Sequence, residues 1–507
     1  MVSENKMFKI RLISKAVLFG ISVLFLLFVA VSTSPLTEFY GWDSSYFMLV
    51  GQGMTKGLLP YRDFFDMKGP YMYLIEYIAQ KICWGRTGCF LMEVVHLTAS
   101  LWIIEETFGI VLQEKSLKKY GKYIYIIPIL FVASFAFEQG NLTEEYSLPW
   151  LLGGVYCAVR YYKTAIETGE YKHPLWMGVY YGIVFGIMAL IRINNAAIIG
   201  AVILSISIGL IASREFKNLL LNGASFLLGT AISFLPMYFW YAARGLGGEM
   251  LNQVFLFGVQ YSGQTGLMPK LYMLYHLRYL LLPALFPVFV CLVYCVRSWR
   301  VWLLSVNSMM IGVFTVSMGF GLVHYIALLI PNLVLGLALL LYYSQRQISK
   351  KKEYLKMGIV AVFLLGMGAA MLQTDAVKEV YRHKISVFSG KEWDIYAKEQ
   401  ARDIVDQVPE EERSQIYAYG INVSCCRWYV MAGCLPPNRY CDWQQDYISM
   451  RPEIGEELKQ WLEQKEAWIV TQKGYSFAPQ IIADTVRENY SVFYENNDYV
   501  LYKANSR

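Results

Sequence analysis

The stretch AVLFGISVLFLLFVAVSTS occupies residues 16–34 and leads directly into PLTEFYGWDSSYF, residues 35–47. The first stretch contains no charged residue, and about 20 mostly apolar residues are enough to cross a bilayer as a helix. Basic residues between Lys6 and Lys15 precede it, and no small-residue cleavage site stands out after it. We therefore expect a retained first transmembrane helix rather than a cleaved signal peptide.

Ten further apolar runs follow along the chain. They cover residues 88–112, 122–138, 145–163, 175–191, 194–213, 218–241, 279–297, 301–321, 324–343 and 356–373. Only 17% of all residues are charged, whereas soluble domains average about 25%. The sequence therefore predicts an α-helical polytopic membrane protein with about 11 transmembrane helices.

Positive charge sets the expected orientation, because Lys and Arg accumulate in cytoplasmic loops. With the N-terminus inside, the predicted cytoplasmic loops are basic or mixed: QEKSLKKYGK (113–122), RYYKTAIETGEYKH (160–173), SREFK (213–217), RSWR (297–300) and SQRQISKKKEYLK (344–356). The predicted external loops are acidic or nearly uncharged: EQGNLTEE (138–145), RINNA (192–196) and GFGL (319–322). This alternation predicts a multi-pass membrane protein with a cytoplasmic N-terminus and an external C-terminus.

The C-terminal part has a different composition. The chain has 45 Lys and Arg against 39 Asp and Glu, but residues 376–507 hold 16 against 20. A basic membrane part suits anionic lipid, and an acidic tail suits water. Period-2 patterns predict strands at 415–420, 466–472, 490–494 and 498–504. Helices are expected at 391–407, 453–464 and 477–488. We therefore expect a membrane domain over 1–375 and a small soluble α/β domain over 376–507; no nucleic-acid motif appears.

Four of the nine cysteines lie in the predicted external tail: Cys425, Cys426, Cys434 and Cys441. An oxidising exterior permits disulfides, so one or two structural bridges are expected there. A metal site is the weaker interpretation, because no second Cys or His pair completes the usual spacing.

The first predicted external loop, residues 35–87, contains two expected short helices. Asp43 to Gly53 is predicted as an amphipathic helix, and Gly69-Pro70 begins a second one, since Pro is tolerated in a first turn. The second helix is too short to span and is expected at the membrane interface. The residues of the first helix expected to face lipid are Tyr46, Phe47, Leu49 and Val50.

The same loop carries three carboxylates, Asp43, Asp63 and Asp66, accompanied by Arg62 and Lys68. Charge placed next to an apolar span costs energy unless it serves a purpose. Two phenylalanines separate Asp63 from Asp66. Acids interleaved with large aromatic residues favour a partly buried pocket over a solvated loop.

GWDSSYF (41–47) followed by PYRDFFDMKGP (60–70) resembles the first external loop of GT-C membrane glycosyltransferases. It is most similar to the glycosyltransferase family 39 group, which includes protein O-mannosyltransferases and lipid A aminoarabinose transferases. The resemblance implies transfer of a hexose or pentose from a polyprenyl phosphate-linked donor to an envelope acceptor. That acceptor would be a glycan, lipid or protein at the external face.

By this resemblance, Asp43 is the candidate base that takes the proton of an attacking hydroxyl. Asp63 or Asp66 would position substrate or hold a divalent cation, Mg²⁺ or Mn²⁺, and Lys68 would pair with the lipid phosphate or an acid. Some relatives have a second acid directly after the first, where this chain has Ser44. The possible metal ligands are Asp43, Asp66 and Glu144.

Glu144 and Glu145 begin the fourth predicted span. Acids in a first turn stabilise a helix through its dipole. In the alternative, functional interpretation, one of them faces the Asp43 pocket and contributes to substrate binding.

Three further residues complete the predicted substrate site. Arg192 follows MALI at an external turn, where its guanidinium can bind a lipid phosphate through two parallel hydrogen bonds. His324 and Tyr325 begin the tenth span, and His324 is a candidate phosphate contact. The segment 244–278 is expected to form a lid or an entrance for the lipid carrier.

Three rival functions stay open at this point. A transporter or lipid flippase should have polar or broken helices near the bilayer midplane, whereas the charges here collect at one predicted external edge. A polysaccharide polymerase or ligase of related architecture would use a diphosphate-linked oligosaccharide. A non-catalytic envelope protein could have kept the same fold.

Overall fold

The computed structural model describes residues 4–112, 124–263, 266–318, 322–346, 349–422, 424–464 and 467–505. The predicted cytoplasmic loop 113–122 lies outside the described residues, as do parts of the predicted segments 122–138, 319–322, 344–356 and 466–472.

A helix overlaps each predicted span. These helices are Glu4–Val29, Arg86–Val111, Ile127–Ala136, Thr143–Thr168, Leu175–Ala189, Ala197–Ala212, Phe216–Ala242, Leu282–Val293, Trp299–Ser317, Ile330–Ser344 and Lys350–Gln373. Within the described residues, seven helical stretches are long and apolar enough to cross a membrane, or eight if the bent pair Met268–Leu277 and Leu282–Val293 is one span. The multi-pass helical fold is confirmed, and the count of eleven stays a prediction.

The first span ends earlier than predicted, at Val29 instead of residue 34. The carbonyl groups that follow it accept hydrogen bonds from a side chain instead of continuing the helix. Arg86 Nε donates to Ser32 O at 2.7 Å, and Arg86 Nη1 donates to Thr37 O at 2.7 Å. An arginine from the next long helix therefore shapes the entrance to the first loop.

Shorter helices connect the long ones. They are the α-helices Trp42–Thr55, Pro70–Ile82, Gly247–Leu251, Gly258–Gly263 and Leu267–Leu277, the π-helix Asn252–Phe257 and the 3₁₀ helices Ile193–Ala196 and Val323–Leu329. The first two confirm the helices predicted in the loop 35–87.

Small residues let two membrane helices approach closely. A Cβ atom on Gly182 would lie 2.0 Å from Phe226 O, and one on Gly229 would lie 2.0 Å from Val179 O. Glycine at such contacts allows backbones to pack together in membranes. The helix Leu175–Ala189 is thereby held against Phe216–Ala242, and the turn at residue 192 follows it.

The C-terminal region, residues 376–507, contains a four-stranded sheet in the order β1-β2-β4-β3, with β1 and β2 parallel and the other neighbours antiparallel. The strands are β1 Ile416–Ala418, β2 Trp468–Gln472, β3 Tyr490–Glu495 and β4 Tyr499–Ala504. The helices are Asp375–Phe388, Ile395–Asp406, Cys425–Ala432, Gln444–Met450, Pro452–Glu463 and Gln480–Asn489, with a 3₁₀ helix at Glu410–Gln415. The predicted α/β pattern is confirmed.

All nine cysteines lie in described residues and are free thiols in this structure. The bridges expected in the C-terminal region are therefore not formed here. Cys426 Sγ and Cys441 Sγ are nevertheless in contact, 3.7 Å apart, a separation larger than the roughly 2.05 Å of a disulfide bond.

The C-terminal region packs directly on the first loop. Phe65 N donates to Arg439 O at 3.0 Å, and the Phe65 ring centroid lies 5.1 Å from that of Tyr447. On the other side, Tyr40 N donates to Asp394 Oδ2 at 2.7 Å. These contacts hold the loop between the membrane helices and the sheet region.

The prediction that one face of the helix Trp42–Thr55 meets lipid is wrong. The four residues expected there are buried inside the protein: Tyr46, Phe47, Leu49 and Val50. The helices Pro70–Ile82 and Cys425–Ala432 pack against this helix. An apolar face at a membrane edge fits a protein partner as well as it fits lipid, because both environments are apolar.

Candidate active site

A cavity of about 440 Å³ lies between the first loop, the turn at 138–142, the polar residues near 192 and 324, and the C-terminal region. Six of the nine residues predicted from the sequence line it: Asp43, Asp66, Lys68, Arg192, His324 and Tyr325. Segments far apart in the chain thus bring acidic and basic groups to one enclosed space.

Asp43 lies in the first turn of the helix Trp42–Thr55, half-buried and lining the cavity. Gly41 directly precedes this helix, and a Cβ atom there would lie 2.1 Å from Ser32 Oγ. Among the residues that the structure describes, none donates a hydrogen bond to the Asp43 carboxylate. Its oxygens are therefore available to accept a proton from a molecule in the cavity.

Asp66 is held firmly, with only 8% of its surface exposed. Its carboxylate accepts a hydrogen bond from Met67 N at 2.7 Å and another from the Tyr73 hydroxyl. Burial raises the pKa of the Asp66 carboxyl, and the nearby Lys68 ammonium opposes that rise. Asp66 is thus an oriented acceptor at the cavity wall beside a cation.

Lys68 reaches the cavity because the segment after it is fixed to the membrane helices. Gly69 N donates to Ile191 O at 2.9 Å, and Tyr71 N donates to Leu190 O at 3.0 Å. A Cβ atom on Gly69 would lie 2.2 Å from the Leu190 carbonyl, so only glycine fits there. This contact brings the loop next to the turn that carries Arg192.

Arg192 connects three segments. Its Nη1 donates to Glu144 Oε1 at 2.9 Å, and its Nη2 donates to the Tyr325 hydroxyl. The guanidinium carbon also lies 4.2 Å from the centroid of the Tyr325 ring, within range of a cation–π interaction. Glu144 is buried and does not itself line the cavity, so it acts by orienting Arg192.

His324 is oriented by an acid that the sequence analysis did not single out. Glu138 accepts from His324 N at 3.1 Å and lies 3.2 Å from its Nδ1. Glu138 also lines the cavity and has a left-handed backbone, with φ 39°. In the sequence, the sign that Glu138 could belong to the site was its place in the acidic predicted external loop EQGNLTEE (138–145).

Besides Glu144, two predicted residues lie outside the cavity lining. Asp63 pairs with its neighbour Arg62 at 2.7 Å and accepts from Leu59 N at 2.7 Å. Glu145 is buried and has Glu93 and Lys384 as electrostatic neighbours. The structure therefore does not bring these two side chains to the substrate space, in contrast to the expectation.

The C-terminal region contributes three lining residues that sequence reasoning missed, Trp443, Asp446 and Tyr447. Trp42 and Gln139 also line the cavity, and Gln139 Oε1 accepts from Trp42 N at 3.4 Å. Nothing in the local sequence around residue 443 indicates that it would meet a loop 400 residues earlier in the chain.

The three candidate metal ligands are not grouped at one point among the residues that the structure describes. Within the described ranges, no group of three or more His, Cys, Asp and Glu side chains is placed to hold a metal ion. Asp66 is engaged by Tyr73, and Glu144 by Arg192. The divalent cation considered for Asp43, Asp66 and Glu144 stays a prediction.

No protein family model matches this sequence, and no curated protein matches it. Among solved structures, the chain is similar to ArnT from Cupriavidus metallidurans bound to undecaprenyl phosphate, at 14% identity and a TM-score of 0.58. That match covers 96% of this chain and 97% of that one. The apo state of the same ArnT matches over the same shares, at 11% identity and a TM-score of 0.52.

A weaker similarity relates the chain to the oligosaccharyltransferase of Archaeoglobus fulgidus, at 11% identity and a TM-score of 0.41, over 90% of this chain and 68% of that one. The two ArnT matches span nearly the whole of both chains, from the first helix to the C-terminal region. The chain therefore has an ArnT-like fold, as the motifs of its first loop predict.

Proposed function

We propose that this protein is a membrane glycosyltransferase that moves a hexose or pentose from a polyprenyl phosphate-linked donor to an envelope acceptor at the external membrane face. The observation that carries the proposal is the convergence of Asp43, Lys68 and Arg192 on one cavity of about 440 Å³. A likeness in fold to ArnT bound to undecaprenyl phosphate supports the donor class.

In the proposed reaction, an acceptor hydroxyl attacks the anomeric carbon of the donor sugar. A bond forms between the acceptor oxygen and this carbon, while the bond from the carbon to the phosphate oxygen breaks. Asp43 takes the hydroxyl proton, a role that suits a carboxylate without a protein donor on its oxygens. Attack from the face opposite the phosphate would invert the anomeric centre.

The departing polyprenyl phosphate gains negative charge, and cations placed in advance lower the energy of that state. Lys68 and Arg192 supply such charge at the cavity wall. Because Glu144 and Tyr325 already hold the Arg192 guanidinium, little reorganisation is needed when the phosphate arrives. Asp66 can accept a hydrogen bond from a sugar hydroxyl without competing for the proton that Asp43 takes.

The test compares two aspartates of the same loop. Asp43→Asn and Asp63→Asn would be purified in lipid nanodiscs and given polyprenyl phosphate-linked pentoses and hexoses, with a bacterial envelope extract as the source of acceptor. Release of polyprenyl phosphate would be measured for each. We expect Asp43→Asn to lose activity by on the order of 10²-fold or more.

Asp63→Asn serves as the matched control, because Asp63 forms a salt bridge with Arg62 and does not line the cavity. It should keep activity close to that of the wild type. A folded Asp43→Asn protein with full transfer activity would refute the assignment of the base.

A further inference from the structure

A second cleft, of about 260 Å³, opens in the C-terminal region beside the reaction cavity. Its lining includes Asn422, Asp442, Gln445 and Tyr475. Two residues, Trp443 and Asp446, line both this cleft and the reaction cavity. They form a wall common to the two spaces.

Trp443 is held in an uncommon conformation. Its φ is 53°, in the left-handed region that large side chains rarely adopt. Tyr447 N donates to Trp443 O at 3.0 Å. The preceding Asp442 carboxylate accepts from Ser424 Oγ at 2.6 Å and from Cys425 N at 3.0 Å. Such backbone strain persists only where surrounding contacts fix it, and it is concentrated at ligand sites.

The fixed backbone leaves the indole open to ligand. Trp443 is 46% exposed, although its helix packs into the core through Tyr447. An exposed aromatic ring on the wall between these two spaces offers an apolar plane with hydrogen-bonding groups nearby. The C–H face of a pyranose ring fits such a plane, while its hydroxyl groups fit amide and carboxylate partners.

The charged residues that line the cleft restrict the class of ligand that it can bind. Among the described residues that line it, none is Lys, Arg or His, and two are aspartates. A phosphate-bearing or uronic acid polymer would find no counter-charge there. A ligand rich in neutral hydroxyl or amide groups would instead find Asn422, Gln445 and the Tyr475 phenol.

A competing exit lies on the other side of the reaction cavity. A cavity of about 390 Å³ shares Trp42 and Gln139 with it and is lined by Trp393 and Arg427. Here the charged groups are paired, since Arg427 is bonded to Asp394 and His383 Nδ1 lies 2.6 Å from Glu392. An uncharged chain in this cavity would lie against two acids, an arginine and a histidine, whereas in the cleft at Trp443 it would meet two acids.

We propose that the acceptor is an uncharged saccharide that lies in the cleft at Asn422, Asp442 and Tyr475, stacks on Trp443 and presents its terminal hydroxyl to the reaction cavity. The inference rests on the proposed glycosyl transfer, because it names the acceptor class of that same site. Asp446 accepts hydrogen bonds from the sugar unit at the junction of the two spaces.

The experiment measures saccharide binding separately from transfer. Full-length protein in nanodiscs would be titrated with maltotetraose and chitotetraose as neutral probes and with tetragalacturonic acid as an anionic probe. The variants are Trp443→Ala, Trp443→Tyr, Trp393→Ala and Asp43→Asn. Trp393 is the matched control, since it is 42% exposed on the same region but lines the competing cavity.

We expect at least one neutral probe to bind, Trp443→Ala to weaken its binding by about tenfold or more, and Trp443→Tyr to retain most of it. A tenfold loss corresponds to about 1.4 kcal/mol. Trp393→Ala and Asp43→Asn should bind the neutral probe like the wild type. If the wild type binds the neutral probe but releases no polyprenyl phosphate from any donor, the proposed function fails while the saccharide site stands.

Four results would overturn the inference. They are unchanged binding in Trp443→Ala, loss of binding in Trp393→Ala instead, tighter binding of the anionic probe, and no binding of either neutral probe at millimolar concentration. The last result would point to a lipid or protein acceptor.

Discussion

Arg192 Nη1 lies 2.9 Å from Glu144 Oε1, and these residues come from segments that are 48 positions apart. The same guanidinium also donates to the Tyr325 hydroxyl, so three separate parts of the chain meet at this one side chain. An arginine has five N–H donors, and these two contacts orient its plane while leaving others for a phosphate. Glu144 therefore positions Arg192 without touching the cavity.

Glu144→Gln should weaken donor binding. The neutral amide replaces a charge-assisted hydrogen bond, which is worth about 1.5–3 kcal/mol, so the guanidinium loses its fixed orientation. We expect the KM for the polyprenyl-linked donor to rise by roughly tenfold, with a smaller effect on kcat. Glu145→Gln is the control, because Glu145 is not bonded to Arg192, and an equal rise in its KM would contradict this role for Glu144.

Asp66→Asn should lower the stability and the kcat/KM of the protein, whereas Asp63→Asn should change both very little. Asparagine keeps one acceptor oxygen, so either the Tyr73 hydroxyl or Met67 N loses its partner in a buried place, at a cost of about 1–3 kcal/mol. Asp63 pairs at the surface with Arg62, which is worth about 0–1 kcal/mol. Thermal unfolding and kcat/KM of both variants check this, and equal effects would show that the loop is arranged differently.

The stability of the C-terminal region should depend on pH through Asp442. Burial raises the pKa of the Asp442 carboxyl to about 6 in the folded protein, above the ordinary value of about 3.9. The folded state thus binds this proton more tightly than the unfolded state. Its stabilising effect is complete below about pH 4 and is lost as the pH rises through about 6, with a slope of at most about 1.4 kcal/mol per pH unit.

Asp442→Asn should remove this slope, while Asp484→Asn, at a more exposed carboxylate, should keep it. The measurement is the unfolding of the full-length protein between pH 4 and 7, followed for each variant. A wild type whose stability lacks this slope would show that Asp442 ionises in the fold as readily as in water.

Cys426 and Cys441 should form a disulfide under oxidising conditions. The predicted orientation places the C-terminal region on the external side of the membrane, where such conditions are expected. Their Sγ atoms are 3.7 Å apart. Both thiols would give up their hydrogens to oxidised glutathione, which becomes two reduced glutathione molecules. Peptide mapping of alkylated, non-reduced protein should find the 426–441 pair; pairing of Cys425 with Cys434 in its place would contradict the observed geometry.

Composition predicted much of the architecture because membrane insertion depends on local hydrophobicity. A helix overlaps each apolar run, and the four strands of the C-terminal region lie where the alternation placed them. The acids of the first loop could be recognised for a similar reason, since charge beside an apolar span is costly. Asp43, Asp66 and Lys68 were found in this way.

The sequence by itself determined that the chain crosses a membrane many times, that a small α/β region follows, and that Asp43 belongs to a polar loop next to the first span. Only the tertiary structure decided that Asp66 faces the cavity while Asp63 turns away, and that Trp443 joins the site. Hydrophobicity and periodicity are properties of neighbouring residues, whereas these choices depend on contacts such as Phe65 N to Arg439 O. Such contacts form only when segments distant in sequence fold together.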